Sequence, residues 1–82
     1  MDDPKPALIV AELDLGFEFV KTASGAYASG RIGMGEAALD QVQIACRRAA
    51  RLVATHGAES LLPRLRELET LLEEMQRLHP PV

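Results

Sequence analysis

Apolar side chains in the last third of the chain recur at alternating intervals of four and three residues. The repeat consists of Leu61, Leu65, Leu68, Leu72 and Met75, and Leu62, Leu71 and Leu78 widen it. This spacing places the side chains on one side of an α-helix and is typical of a helix that packs along other helices. The repeat predicts an all-α fold and makes those first five residues a candidate partner interface.

The composition favours helix packing as well. The chain has 82 residues, enough for one domain with a thin core. Apolar residues make up 48% of the chain and aromatic residues only 4%. A core of Leu, Val and Ala suits closely packed helices. Because so small a core buries little surface, we expect the domain to gain stability by self-association.

Turn signals divide the chain into three helices joined by short connections, which predicts an antiparallel three-helix bundle. Residues 1–6 contain two prolines and form a predicted flexible lead-in. Residues 7–79 form a single helical domain, and residues 80–82 form a tail.

The first helix is predicted from about Ala7 to Ser29. Its core row contains Ile9, Leu13, Gly16, Val20, Ala23 and Tyr27, and an adjacent row contains Leu8, Leu15, Phe19 and Ala26. A glycine inside a helix costs up to about 1 kcal/mol relative to alanine. A break near Gly16 is therefore an open alternative, in which residues 7–13 are extended and the helix begins at Asp14.

Glycines and caps set the other boundaries. Three glycines between residues 30 and 35 predict a tight turn, with Gly35 as the N-cap of a second helix over residues 36–56. Gly57 is the expected C-terminal stop. Ser60 is the expected N-cap of the third helix, with Pro63 tolerated in its first turn. Small residues on facing rows predict a close approach of the first two helices.

The first two predicted helices are similar to a known motif. Val20, Ala23 and Tyr27 precede a glycine-bearing turn, and Ala38, Val42 and Ala45 follow it. This arrangement resembles a tetratricopeptide-type helical hairpin over roughly residues 17–56. With the third helix, to about residue 78, it is similar to the three-helix microtubule-interacting-and-trafficking domain. The resemblance implies that a peptide or a helix binds in a groove.

Charge is unevenly distributed along the chain, whose formal net charge is -3. Both ends are acidic and the middle is mildly basic. Arg47, Arg48 and Arg51 form a candidate docking patch for an acidic partner, or else a solvated helix surface. This cluster is too weakly basic to indicate a nucleic-acid-binding protein.

The single cysteine, Cys46, excludes an internal disulfide framework and fits a reducing compartment. The first residues are acidic, where a signal peptide is basic. No apolar run approaches the roughly 18–20 residues that span a bilayer. We therefore expect a cytoplasmic protein without membrane insertion.

Candidates for chemistry are few. Cys46 lies on the apolar side of the second helix, which favours a buried structural role. His56 ends that helix roughly 15 Å away along its axis, too far to share a metal ion with Cys46. His79 lies beside two prolines, and the glycines at 30, 33 and 35 fit a structural turn better than a phosphate loop. The acids of the third helix are interpreted as solvating, and we expect no metal and no cofactor.

These observations favour a non-catalytic helical interaction module, either a homodimer or an adaptor for another helical protein. A first alternative is a small bundle that binds an apolar ligand or a peptide in a groove lined by Phe17, Phe19, Tyr27 and Met34. A weaker alternative is an enzyme subunit whose site is completed across subunits by Cys46 or His56.

Overall fold

Three α-helices and one short 3-10 turn make up the protein. The structure, a computed structural model, describes residues 4–80. Helix α1 spans Pro4–Ala28, α2 spans Ile32–His56 and α3 spans Leu62–Leu78, with a 3-10 turn at Glu59–Leu61. None of residues 4–80 lies in a strand. The predicted all-α fold with three helices is confirmed.

Helix α1 is continuous, and it begins earlier than the sequence predicted. It starts at Pro4 rather than near Ala7, because a proline in the first turn interrupts no intrahelical hydrogen bond. Part of the predicted lead-in is therefore helical. Residues 1–3 of the lead-in and residues 81–82 of the tail lie outside the described residues. The helix also runs unbroken through Gly16, so the alternative with an extended segment over residues 7–13 is wrong.

All three helices come close together at Gly16. A Cβ atom at this position would lie 2.5 Å from Cδ2 of Leu68 in α3 and 3.3 Å from Cβ of Ala45 in α2. The first distance is shorter than real Cβ atoms tolerate. Glycine at position 16 thus lowers the helix propensity of α1 but allows close packing against α2 and α3.

Contacts along the hairpin give the directions of α1 and α2. Glu12 lies beside Arg48, Gly16 beside Ala45, and the ring of Tyr27 beside Gly35. Higher residue numbers in α1 therefore lie opposite lower residue numbers in α2, which means that the two helices run in opposite directions. Residues 17 and 44 consequently lie at about the same level of the hairpin.

All three helices contribute to a single core. The buried residues of this core cluster are Ile9, Leu13, Ala23, Ala38, Leu39, Val42, Cys46, Ala49, Val53, Leu65, Leu68 and Leu72. Leu61 and Met75 are half-buried and pack against this core. Three residues of the candidate partner interface, Leu65, Leu68 and Leu72, are thus buried within their own chain, and a role of this row in binding a partner stays a prediction.

Two predicted caps are also corrected. Helix α2 begins at Ile32, and Gly35 lies inside its first turn. A Cβ at Gly35 would lie 2.7 Å from two atoms of the Tyr27 ring, so this glycine makes room for an aromatic side chain. Ser60 lies in the 3-10 turn and does not cap α3, which begins at Leu62 with no side-chain cap. The 3-10 turn satisfies backbone groups there, since the amide of Leu61 donates to the carbonyl oxygen of Ala58.

The predicted C-terminal stop of α2 is confirmed. Gly57 adopts a left-handed conformation with φ of 65°, and its amide donates to the carbonyl oxygen of Val53. Glycine reaches this conformation without the steric penalty of a side chain. The chain then reverses within a few residues and places α3 against the hairpin.

Candidate functional site

Helix α3 is fixed to one side of the hairpin by an ion pair and by aromatic contacts near its two ends. At its start, Nη2 of Arg64 lies 2.7 Å from Oδ1 of Asp14, and the guanidinium carbon lies 5.4 Å from the centre of the Phe17 ring. Just beyond its end, His79 stacks on Tyr27 with ring centroids 3.8 Å apart. The side of α1 that carries Asp14 and Phe17 is thus covered by α3.

The opposite side of the hairpin is not covered by α3. Leu15 lies two residues before Phe17 on α1, which places it about 200° around the helix from the α3 contact. Ile44 lies two residues before Cys46 on α2 and is about 200° away from the buried side of that helix, at the outer edge of this surface. We call this surface the open face; its apolar side chains are Leu8, Leu15, Phe19, Met34, Ile44 and Leu52.

Four of these side chains are well exposed. The exposed fractions are 58% for Leu8, 47% for Leu15, 53% for Met34 and 37% for Ile44. Phe19 and Leu52 are half-buried at the same surface. Single exposed apolar residues are common on proteins. Leu8, Leu15 and Leu52 are neighbours, since they line one depression, and a contiguous apolar patch is typical of an interaction surface.

A shallow depression of about 310 Å³ lies at one end of the open face, lined by Leu8, Ala11, Glu12, Leu15 and Leu52. The carboxylate of Glu12 is held within this apolar surround. Its Oε1 lies 3.9 Å from Nη1 of Arg48, and its Oε2 is buried without a hydrogen-bond partner among residues 4–80. The open face therefore contains a half-buried acid beside an exposed base as well as apolar side chains.

The predicted arginine patch lies at the edge of this surface. Arg47, Arg48 and Arg51 are all exposed on α2. Only Arg48 among them lies within 4 Å of a carboxylate of the described chain, that of Glu12. The patch is accessible to a partner, and its role in docking stays a prediction.

A second depression, of about 280 Å³, lies between α2 and the end of α3. It is lined by Tyr27, Glu36, Leu39, Asp40, Gln43, Gln76 and His79. Desolvation raises the pKa of the Tyr27 hydroxyl above its usual value, and the nearby carboxylates of Glu36 and Asp40 raise it further. The stacking of His79 on Tyr27 was missed at the sequence level, where His79 was placed in a proline-rich end.

The predicted ligand groove is not formed. Phe17 lies under Arg64 on the α3 side, whereas Phe19 lies on the open face. Tyr27 is engaged by His79, and Met34 is exposed near the start of α2. Phe17 and Phe19 point to different surfaces because residues two apart on α1 lie about 200° apart, and Met34 belongs to α2. The prediction of one groove lined by all four is wrong.

Cys46 has the environment of a structural cysteine, as predicted. It is buried, and burial raises the pKa of its thiol to about 11, with the carboxylate of Glu69 contributing in the same direction. The thiol is therefore protonated at neutral pH, whereas nucleophilic attack requires the thiolate. His56 is exposed at the end of α2 and lies well apart from it. No group of three His, Cys, Asp or Glu residues within residues 4–80 is placed to hold a metal ion.

Within residues 4–80, no helix combines the length and the apolar character needed to cross a membrane. The chain matches no protein-family model, no curated protein and no solved structure. The similarity to tetratricopeptide and microtubule-interacting-and-trafficking hairpins stays a prediction. What the open face does is therefore inferred from the residues of this chain alone.

Proposed function

We propose that this protein is a non-catalytic helical interaction module that forms a homodimer through its open face. The observation that carries the proposal is the exposure of Leu8, Leu15, Met34 and Ile44, of which Leu8 and Leu15 line one depression on the side of the hairpin opposite α3. A hairpin covered on one side only has a second side suited to another pair of helices.

The energetic argument follows from the size of the domain. Complete burial of a leucine or isoleucine side chain contributes about 1.5–3 kcal/mol. Helix α3 has 17 residues against 25 in each of α1 and α2, so it covers only part of the hairpin. Pairing two open faces would complete a four-helix arrangement and enlarge a thin core.

The charges at the open face favour a second copy as the occupant. Glu12 and Arg48 place a negative and a positive charge within one small area of this surface. A surface that carries its own acids and bases is able to pair with itself, whereas an adaptor for a strongly charged protein needs charge of one sign.

The proposal is tested by measuring the mass of the full chain by sedimentation velocity over a range of concentrations. We expect the wild type to dimerise and Leu15→Glu to weaken the dimer by at least about tenfold, because it buries a charge in the interface. Leu78→Glu is the matched control, since Leu78 is 68% exposed on α3 and away from the open face. It should leave the dimer unchanged.

Two outcomes would contradict the proposal. The first is a wild-type chain that stays monomeric at several hundred micromolar. The second is an equal loss of association in Leu15→Glu and Leu78→Glu. A monomer whose open face is covered only by a different helical protein would support the adaptor hypothesis instead.

A further inference from the structure

The depression between α2 and the end of α3 brings polar side chains of all three helices together, away from the depression of the open face. Helix α2 contributes residues at intervals of four and three, which lie along one side of it: Glu36, Asp40 and Gln43. Gln76 and His79 line the depression from the end of α3, and Tyr27 lines it from the end of α1. Groups far apart in sequence thus share one space of about 280 Å³.

Aromatic packing fixes the walls of this depression. The ring of Tyr27 stacks on His79 with centroids 3.8 Å apart and also lies against Gly35 in the first turn of α2. The stack joins the end of α3 to α1, and α1 packs along α2. The carboxylates on α2 and the amide on α3 are therefore held on walls that do not move independently.

The charge on these walls is negative and unpaired. Glu36 and Asp40 are both exposed, and neither carboxylate lies within 4 Å of a basic nitrogen of residues 6–80. The lining drawn from that part of the chain includes no lysine and no arginine. Desolvation raises the pKa of the Tyr27 hydroxyl, and both carboxylates raise it further, so their fields meet at this ring. Two like charges one helical turn apart repel each other, and a bound cation relieves the repulsion.

We propose that this depression binds a guanidinium group, supplied by an arginine side chain or by a free small molecule. Ionised carboxylates only accept hydrogen bonds, and the amides of Gln43 and Gln76 each add an acceptor oxygen. A guanidinium carries its N–H donors in one plane and reaches several acceptors at once. An ammonium group is a more strongly hydrated point charge, so we expect it to bind more weakly.

The size of the depression suits a group of this kind. Pockets for drug-sized molecules have volumes of roughly 300–1,000 Å³, and this depression lies just below that range. Leu39 provides apolar surface beside the polar groups, and methylene groups next to a guanidinium pack well on such surface. Because so small a ligand has few atoms with which to bind, we expect a dissociation constant on the order of millimolar.

The test is a titration of the full chain, labelled with ¹⁵N and followed by amide chemical shifts. Ethylguanidinium chloride represents a free small molecule, and the blocked peptide acetyl-Gly-Arg-Gly-amide presents the same group on a backbone. We expect saturable shifts centred on residues 27, 36–43 and 76–79. Ethylurea has nearly the same shape without the charge and should cause none. Tighter binding of the peptide identifies an arginine side chain as the source, and tighter binding of ethylguanidinium identifies a free small molecule.

Removing the carboxylates tests whether they hold the ligand. Glu36→Gln and Asp40→Asn should each weaken binding by about threefold, as expected for exposed ion pairs, and the double variant by about tenfold. Glu18→Gln removes the same charge from α1 outside the depression and should leave the affinity unchanged. Leu15→Glu should also bind as tightly as the wild type, which separates this site from the proposed dimer. Circular dichroism confirms that each variant is folded.

Several results would overturn the proposal. These are the absence of saturable shifts, shifts of equal size with ethylurea, and an affinity that the double variant leaves unchanged. Binding of ethylammonium as tight as that of ethylguanidinium would overturn the choice of a guanidinium. A monomeric wild type that still binds ethylguanidinium would contradict the dimer alone and support this site.

Discussion

The imidazole ring of His79 lies flat against the phenol ring of Tyr27, with ring centroids 3.8 Å apart and 3° between the ring planes. The contact joins a residue just beyond α3 to the far end of α1. Tyr27 is at the same time packed against Gly35 in the first turn of α2. One ring therefore connects all three helices at this end of the bundle.

Replacing His79 with alanine should release the end of α3 and destabilise the fold. Aromatic pairs contribute about 0.5–1.5 kcal/mol beyond the area that they bury, and we expect a loss of that size. The measurement is the free energy of unfolding from urea titration followed by circular dichroism. His79→Phe retains an aromatic ring and should keep most of the stability. An alanine variant as stable as the wild type would mean that the stack does not stabilise the bundle.

Gly16 and Gly25 offer a matched comparison within α1. A Cβ added at Gly25 would have no neighbouring atom within 4 Å. Gly25→Ala should therefore stabilise the protein by about 0.5–1 kcal/mol, because alanine has the higher helix propensity. Alanine at Gly16 gains the same propensity but forces Leu68 to move inside a packed core. Overpacking typically costs about 1–3 kcal/mol, so Gly16→Ala should be less stable than Gly25→Ala by about that amount.

Thermal and urea unfolding of both variants would measure this difference. Equal stability would show that Leu68 finds another rotamer at no cost and that close approach at Gly16 is not required. The helix content of the folded proteins, taken from circular dichroism, should be the same in both variants and serves as the control.

Local patterns in the sequence were enough to predict much of the fold. The leucine repeat predicted α3 because its side chains follow the period of one helix, which neighbouring residues determine. Gly57 was predicted as a stop for a similarly local reason, since only the residue itself must adopt the left-handed conformation. The burial of Cys46 followed from its position on the apolar side of α2.

What the sequence did not predict depends on residues far apart in the chain. Periodicity indicates that Leu65 and Leu68 meet another helix, but it does not indicate which chain supplies that helix. Gly35 was misread as a cap because its partner, Tyr27, belongs to another helix. The row containing Leu15 was recognised, yet its exposure depends on the side to which Arg64 attaches α3, through a contact 50 residues away in sequence.

The contact of Arg64 with Asp14 and Phe17 can be tested by a double-mutant cycle. Both charged side chains are substantially exposed, so we expect a coupling free energy between Arg64→Gln and Asp14→Asn of only about 0.2–1 kcal/mol. The coupling should decrease at high salt, which screens the ion pair. A coupling unaffected by salt would indicate that the packing of Arg64 on Phe17, rather than its charge, holds α3 in place.

The raised pKa of Cys46 predicts a loss of stability in alkaline solution. The pKa of an unperturbed cysteine thiol is 9.0 and that of Cys46 in the fold is about 11, so the unfolded chain loses its proton first as pH rises. The stabilising effect is complete below about pH 9 and is lost as pH approaches 11, by roughly 2–3 kcal/mol for a shift of this size.

Urea unfolding between pH 8 and pH 11 measures this loss of stability, and Cys46→Ala should lose less stability over that range. Tyr27, whose pKa is also raised, contributes in the same direction to both proteins. Identical pH dependence in the wild type and in Cys46→Ala would contradict burial of the neutral thiol as its cause.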